Sequence, residues 1–135
     1  MNIKLTIVHY YKLVFFQVEL FNILKQGNNS IVQCYGITKD PKTNNFMMVM
    51  EYANNGSLRQ HLNNNFNSLN WTQKLENLWF IAYGLDVIHG KGLIHRDFHC
   101  GNILNHRVYD NSVFQSKITD LGLCKPVNTK HNISE

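Results

Sequence analysis

His95-Arg96-Asp97-Phe98-His99-Cys100-Gly101-Asn102, followed by Asp120-Leu121-Gly122, decides the reading of this chain. Four polar residues at set spacing within eight positions seldom arise by accident, and their chemistry is specific. Asp97 and Asn102 stand five apart, and Asp120 follows in a glycine turn. Phosphoryl transfer needs a carboxylate beside the incoming hydroxyl, with an amide oxygen and a second carboxylate to hold magnesium. Short apolar runs, Leu93-Ile94 before the loop and Ile103-Leu104 after it, read as short strands or hairpins, as do Val108–Phe114 and Lys117-Ile118.

Upstream of the loop, the pattern predicts a long helix from about Trp71 to His89. Leu75, Leu78, Trp79, Ala82, Leu85 and Ile88 form one apolar stripe at helical spacing. Asn70 with Gln73 resembles a capping box, and Gly90-Lys91-Gly92 ends the helix. A shorter helix, Leu58 to about Asn64, begins behind Ser57 as its cap. Two strands are expected near 31–37 and 46–52, joined by the turn-rich Asp40–Asn45. A helix from about Val14 to Gln26 carries Phe16, Leu20, Ile23 and Leu24 on one face and stops at Gly27. Residues 3–8 alternate as a strand would. The order of elements is α+β, without internal repeats.

The loop and turn resemble the catalytic loop and metal-binding turn of the eukaryotic protein kinases, and the match can be followed over nearly the whole chain. The resemblance implies that Asp97 orients the substrate hydroxyl and accepts its proton, and that Asn102 and Asp120 bind magnesium. It assigns Arg96 to the contact that steadies a phosphorylated activation segment. Met47-Met48-Val49-Met50-Glu51-Tyr52-Ala53 is similar to the strand and hinge that hold adenine. Met50 is then the gatekeeper, Glu51, Tyr52 and Ala53 offer backbone groups to the purine, and Leu104 presses on the ring from below. A plain buried strand accounts for the apolar residues equally well; the position relative to the loop favours the hinge.

Glu19 stands thirteen residues before Val32, and Lys4 precedes Glu19 by fifteen. Both separations resemble those of the helix glutamate and strand lysine in tyrosine-kinase-like sequences. Lys4 fits that role and also fits a surface lysine near a terminus. By the same resemblance, residues 1–50 are the remnant of the small lobe, 51–56 the hinge, and 57–135 the start of the helical lobe. The implied activity is transfer of the ATP γ-phosphoryl group to a protein serine, threonine or tyrosine hydroxyl, with ATP and magnesium as cofactors. The alternatives are a non-catalytic kinase-like fragment or binding module, and a small-molecule phosphotransferase, whose H-x-D-x-x-x-x-N loop is similar.

Departures from the family pattern carry expectations of their own. There is no G-x-G-x-x-G loop, and the A-P-E segment is missing, so a domain truncated at both ends is expected. Leu121 stands where phenylalanine is usual, and His99 where many serine/threonine kinases have lysine. His99 is assigned a contact with the transferred phosphate, and the exchange leaves hydroxyl specificity open. Roughly five extra residues between Asn102 and Asp120 read as a longer hairpin around Tyr109–Ser112. With later helices absent, the Leu75–Ile88 stripe is expected to stay uncovered and to favour a partner or self-association.

The remaining composition narrows the classes. Thirteen Lys and Arg against nine Asp and Glu give +4, scattered without a basic stripe, so nucleic acid is not an expected partner. Cys34, Cys100 and Cys124 are far apart without a C-x-x-C, which argues against a disulfide framework or zinc site and for a reducing compartment. Lys4, His9 and Lys12 break the first apolar stretch, so neither a signal peptide nor a membrane span is expected, and the location is read as intracellular, cytoplasmic.

Overall fold

The computed structural model describes residues 3–8, 18–22, 24, 29–108 and 113–127, with side chains of 18–22, 24, 29–106 and 115–127. The rest of the expected Val14–Gln26 helix, its Gly27 stop, the 109–112 hairpin tip and the side chain of Lys4 lie outside the described residues. Residues 18–22 and 24 are helical, and Leu20, Phe21 and Leu24 are buried.

Three strands form the first sheet: β1 (Ile3–Val8), β2 (Cys34–Lys39) and β3 (Phe46–Glu51). β3 lies in the centre, antiparallel to both neighbours, with Met50 opposite Lys4 on one side and Cys34 on the other. The β2–β3 turn is built by Asp40, whose carboxylate accepts from the Lys42 N–H at 2.9 Å and the Thr43 hydroxyl at 2.6 Å. The expected strand at 31–37 is shifted in sequence. Residues before Cys34 leave the sheet to run beside Ile118, where Val32 N–H donates to Ile118 O at 2.9 Å and Ile118 N–H to Ser30 O at 2.8 Å.

After the sheet come α1 (Leu58–Asn65) and α2 (Trp71–Gly90). Both start on full capping boxes, Ser57 with Gln60 and Asn70 with Gln73, which satisfy backbone N–H groups the first turn leaves unpaired. α2 stops where Gly92, at φ +67°, turns its N–H back to His89 O at 2.8 Å. Beyond it, β4 (Leu93–Ile94) pairs with β7 (Lys125–Pro126), and β5 (Ile103–Val108) pairs with β6 (Val113–Ile118) in an antiparallel hairpin. A 3₁₀ turn, Leu121–Leu123, follows β6.

The face that α2 packs inward differs from the apolar stripe. Asn77, Gly84 and Ile88 are the buried residues of the helix. Asn77 accepts the buried Ser116 hydroxyl at 2.8 Å. A Cβ on Gly84 would stand 2.9 Å from Ile118 Cδ1 and 3.0 Å from Ser30 O, so the helix approaches β6 this closely only because glycine is there. An asparagine and a glycine thus define the packing face, and only Ile88 of the stripe is fully buried. Leu75, Leu78 and Trp79 are each 60% exposed and Trp71 77%, whereas Leu85 of the expected stripe packs against the core.

The core joins the helical residues Leu20, Phe21 and Leu24 to Met48 and Met50 of β3, Ile88 of α2, Ile118 of β6, and Leu121 beyond the hairpin. Among the described residues no helix is long and apolar enough to cross a membrane.

Candidate functional site

The loop from His95 to Asn102 is held by hydrogen bonds that its own residues make. His95, directly after β4, is buried; Asp97 N–H donates to its Nδ1 at 3.3 Å, so the ring hydrogen sits on Nε2 and donates to Thr119 O at 2.9 Å. Arg96, between the two, is exposed and takes φ +68°, a conformation disfavoured for residues with a side chain. The bonds on either side over-determine it. The result is a sharp reversal that brings Asp97 round to Asn102.

Asn102 Nδ2 donates both to Asp97 Oδ2 at 3.0 Å and to Asp97 O at 3.1 Å. Both amide hydrogens are directed at Asp97, which fixes the amide orientation and leaves Oδ1 for a cation. The Asn102 carbonyl accepts from Thr119 N–H at 3.0 Å, bringing the turn that carries Asp120 alongside. Asp120 is exposed and left-handed at φ +57°. An amide oxygen and a carboxylate are the hard donors that magnesium takes, so this set fits the ion. Among the described residues, no three His, Cys, Asp or Glu side chains cluster to hold a metal. Behind the turn, burial first and the Asp120 carboxylate second push the Cys124 thiol up to about 11.

His99 Nε2 lies 3.6 Å from Asp97 Oδ1, and Gly101 N–H donates to His99 Nδ1 at 3.0 Å. The ring packs so close to Gly101 that a Cβ there would stand 2.8 Å from it. His99 therefore lies nearest Oδ1 of Asp97, the carboxylate oxygen that Asn102 does not bond.

A cleft of about 420 Å³ opens beside the loop, lined by Tyr52, Ala53, Ser57, Gln60, Gly101 and Leu104 among others. That volume lies within the range of small-molecule sites. Three backbone links close its frame: Ser57 bridges Leu104, Asn105 N–H donates to Gly56 O at 3.0 Å, and Arg59 N–H to Cys100 O at 3.0 Å. Of the expected adenine-site residues, Tyr52, Ala53 and Leu104 line this cleft. Met50 is buried in β3 instead, and Glu51 carries its carboxylate to Lys117 Nζ at 2.6 Å. Glu19 is exposed, and no ion pair of Glu19 is formed among the described residues. The backbone of Lys4 sits opposite Met50.

Four residues escaped the sequence reading as parts of the site. Ser57 and Gln60 of the first capping box also line the cleft, and Gly101 gives it a wall while seating His99. Lys117 is buried in β6, and its place in Val-Phe-Gln-Ser-Lys-Ile, directly after Gln115 and Ser116, carries no sequence signal of that burial.

The family model for protein tyrosine and serine/threonine kinases matches residues 10–135. The chain is 34% identical over 120 residues to a leaf rust 10 disease-resistance locus receptor-like protein kinase-like protein (1.4) of Arabidopsis thaliana, covering 85% of this chain and 17% of that protein. It is 34% identical over 113 residues to the probable serine/threonine-protein kinase qkgA of Dictyostelium discoideum, covering 80% and 7%. With the human dual specificity testis-specific protein kinase 2 it shares 32% over 111 residues, covering 82% and 18%. The chain thus spans less than a fifth of the length of each of these relatives.

Proposed function

The chain belongs to the protein tyrosine and serine/threonine kinase family, and from that membership we propose an ATP- and magnesium-dependent phosphoryl transfer to a protein hydroxyl, with the chemistry centred on Asp97. The observation that carries this reading is the pair of hydrogen bonds that Asn102 Nδ2 donates to Asp97, at 3.0 Å to Oδ2 and 3.1 Å to the backbone carbonyl. It fixes the Asp97 carboxylate while freeing the amide oxygen of Asn102, whose backbone carbonyl is bonded to Thr119 next to Asp120. Asp97 accepts the proton of the incoming hydroxyl, a role worth roughly 10²–10⁴ in rate. Asn102 and Asp120 hold magnesium, which when bound neutralises charge on the nucleotide phosphates. Tyr52 and Ala53 present the hinge edge to adenine, and Leu104 supports the ring. Lys4 and Glu19 are the proposed phosphate-positioning pair, Met50 the gatekeeper, and His99 and Arg96 the groups for the transferred phosphate and the activation segment. Residues 1–50, 51–56 and 57–135 act as upper lobe, hinge and lower lobe.

Calorimetric titration with ATP tests the site. Wild type should give a magnesium-dependent heat that Asp120→Ala loses; identical titrations of the two proteins would refute the assignment. The exposed Leu75, Leu78 and Trp79 favour a second reading, in which a kinase-like module acts by binding a partner. Phosphoryl transfer that disappears with Asp97→Asn separates catalysis from that alternative.

A further inference from the structure

Glu51 ends β3 and directly precedes Tyr52 and Ala53 of the cleft, while Lys117 stands three residues before Asp120. Their side chains meet at 2.6 Å across 66 residues of sequence, with 14% and 8% of their surface exposed. We propose that Lys117 is a positioning residue: its ion pair with Glu51 ties the hinge to the metal-binding turn and sets the spacing between the two walls of the nucleotide site. This rests on the reading of the site given above.

Both ends of the tie are themselves held. Glu51 Oε2 accepts from Gln33 N–H at 3.3 Å, and Glu51 N–H donates to Gln33 O at 2.8 Å, so the carboxylate cannot swing without moving the strand end. His106 Nδ1 approaches Oε1 at 3.9 Å without a hydrogen bond, which leaves Lys117 as the dominant cation. On the other side, Ile118 is completely buried and bonded through both backbone groups to Ser30 and Val32. Thr119 donates to Asn102 O and accepts from His95 Nε2. Each residue between Lys117 and Asp120 is therefore fixed, and a displacement at Glu51 is passed to the turn rather than absorbed.

Stability alone does not account for such a pair. Removing two charges from water costs about as much as their attraction returns, and well-packed apolar residues often do as well. What the pair adds is direction and length, as a short charge-assisted bond does. A structural role and a positioning role then part company in the double variant. Lys117→Met or Glu51→Gln alone strands one buried charge and should lower the midpoint of thermal unfolding. Lys117→Met/Glu51→Gln removes both charges and should recover most of that midpoint.

The test follows two readouts in the full chain: wild type, both single variants and the double variant. The first is amide hydrogen exchange at Glu51 and Thr119, with the Ile88 region of α2 as internal control. In the double variant both amides should exchange at least about tenfold faster while the control keeps its wild-type rate. The second is titration with a fluorescent ATP analogue with and without magnesium. The affinity gained on adding magnesium should fall by about ten- to a hundredfold in the double variant, as expected when site groups are misplaced. Wild-type exchange at Thr119 in the double variant, or a uniform rise that includes the control, overturns the proposal. So does an unchanged magnesium gain in a double variant that exchanges faster. If wild type itself shows no magnesium-dependent nucleotide signal, the reading of the site fails, and exchange alone decides whether Lys117 couples hinge and turn.

Discussion

Asn102→Asp converts the bond that organises the loop into a repulsion. The wild-type amide donates to Asp97 Oδ2 at 3.0 Å. With a carboxylate in its place, two negative charges about 3 Å apart interact by about 5.5 kcal/mol at an effective dielectric of 20, and by about 1.4 kcal/mol in bulk water. The Asp97 side chain is 41% exposed, so the true cost lies between these limits, and the new side chain can swing aside. Repulsion of about 2 kcal/mol, with about 1 kcal/mol for the lost charge-assisted bond, gives a destabilisation of about 3 kcal/mol at pH 7. Against a total of about 5–15 kcal/mol that is a large loss.

The sign with pH follows from the pair. Two carboxyls sharing one site hold a proton between them, so one of them in the folded variant titrates above its unfolded value of ~3.9. The stability it contributes is fully present below that value and is lost as pH rises through the raised one. The variant should therefore approach wild type in mild acid and fall away toward neutrality. Millimolar magnesium at pH 7 should restore part of the loss, because a cation between Asp97, the introduced carboxylate and Asp120 replaces the missing proton. Urea unfolding at pH 4.5 and 7, with and without magnesium, measures this. Asn102→Ala is the control, since it loses the bond without adding a charge. Parallel pH profiles for the two variants would refute the geometry of the Asp97–Asn102 pair.

Asp97→Asn keeps shape and hydrogen bonding but removes the proton acceptor; phosphoryl transfer measured with a peptide mixture should fall at least about 10²-fold. Among the three cysteines, Cys100 should react first with a thiol reagent at pH 8, while Cys34 and Cys124 stay protected by burial, as mass spectrometry of timed samples would show. Because the Cys124 thiol is raised to about 11, its stabilising contribution is intact below the ordinary thiol value and is lost as pH rises through about 11, so alkaline unfolding should be delayed in Cys124→Ser, whose side chain does not ionise. Leu78→Lys with Trp79→Gln should reduce self-association in light scattering while changing the unfolding free energy by less than about 1 kcal/mol, because both side chains are mostly exposed.

The local parts of the fold were legible because their signals are local. Asn70 with Gln73 caps α2 as its spacing implied, Ser57 caps α1, and Gly92 supplies the left-handed stop. The strand at Phe46–Glu51 and the Asp40–Asn45 turn lie where the pattern put them. The packing face of α2 was not legible. Hydropathy favoured Leu75, Leu78 and Trp79, whereas the helix sits on β6 through Asn77 and Gly84. A polar side chain that finds a buried hydroxyl, and a glycine that permits close approach, carry no apolar signal; their value appears only once Ser116 and Ile118 are opposite them.

The same division runs through the site. His95, Asp97 and Asn102 bond to one another within a few residues, so their spacing in sequence encodes their geometry directly. The cleft is made otherwise. Gly56 meets Asn105, Arg59 meets Cys100, and Thr119 meets Asn102 through backbone groups that every residue possesses, so no side-chain pattern could announce them. Lys117 and Glu51 combine the two cases. Each is a charged residue at or next to the end of its strand, which alone signals nothing. Together, and only after folding has brought the end of β3 within side-chain reach of β6, they become one bond between the hinge and the turn. A loop can therefore be recognised from its residues, whereas the distance at which it faces its cleft depends on pairs that folding assembles, and Lys117 is the residue on which that dependence can be tested.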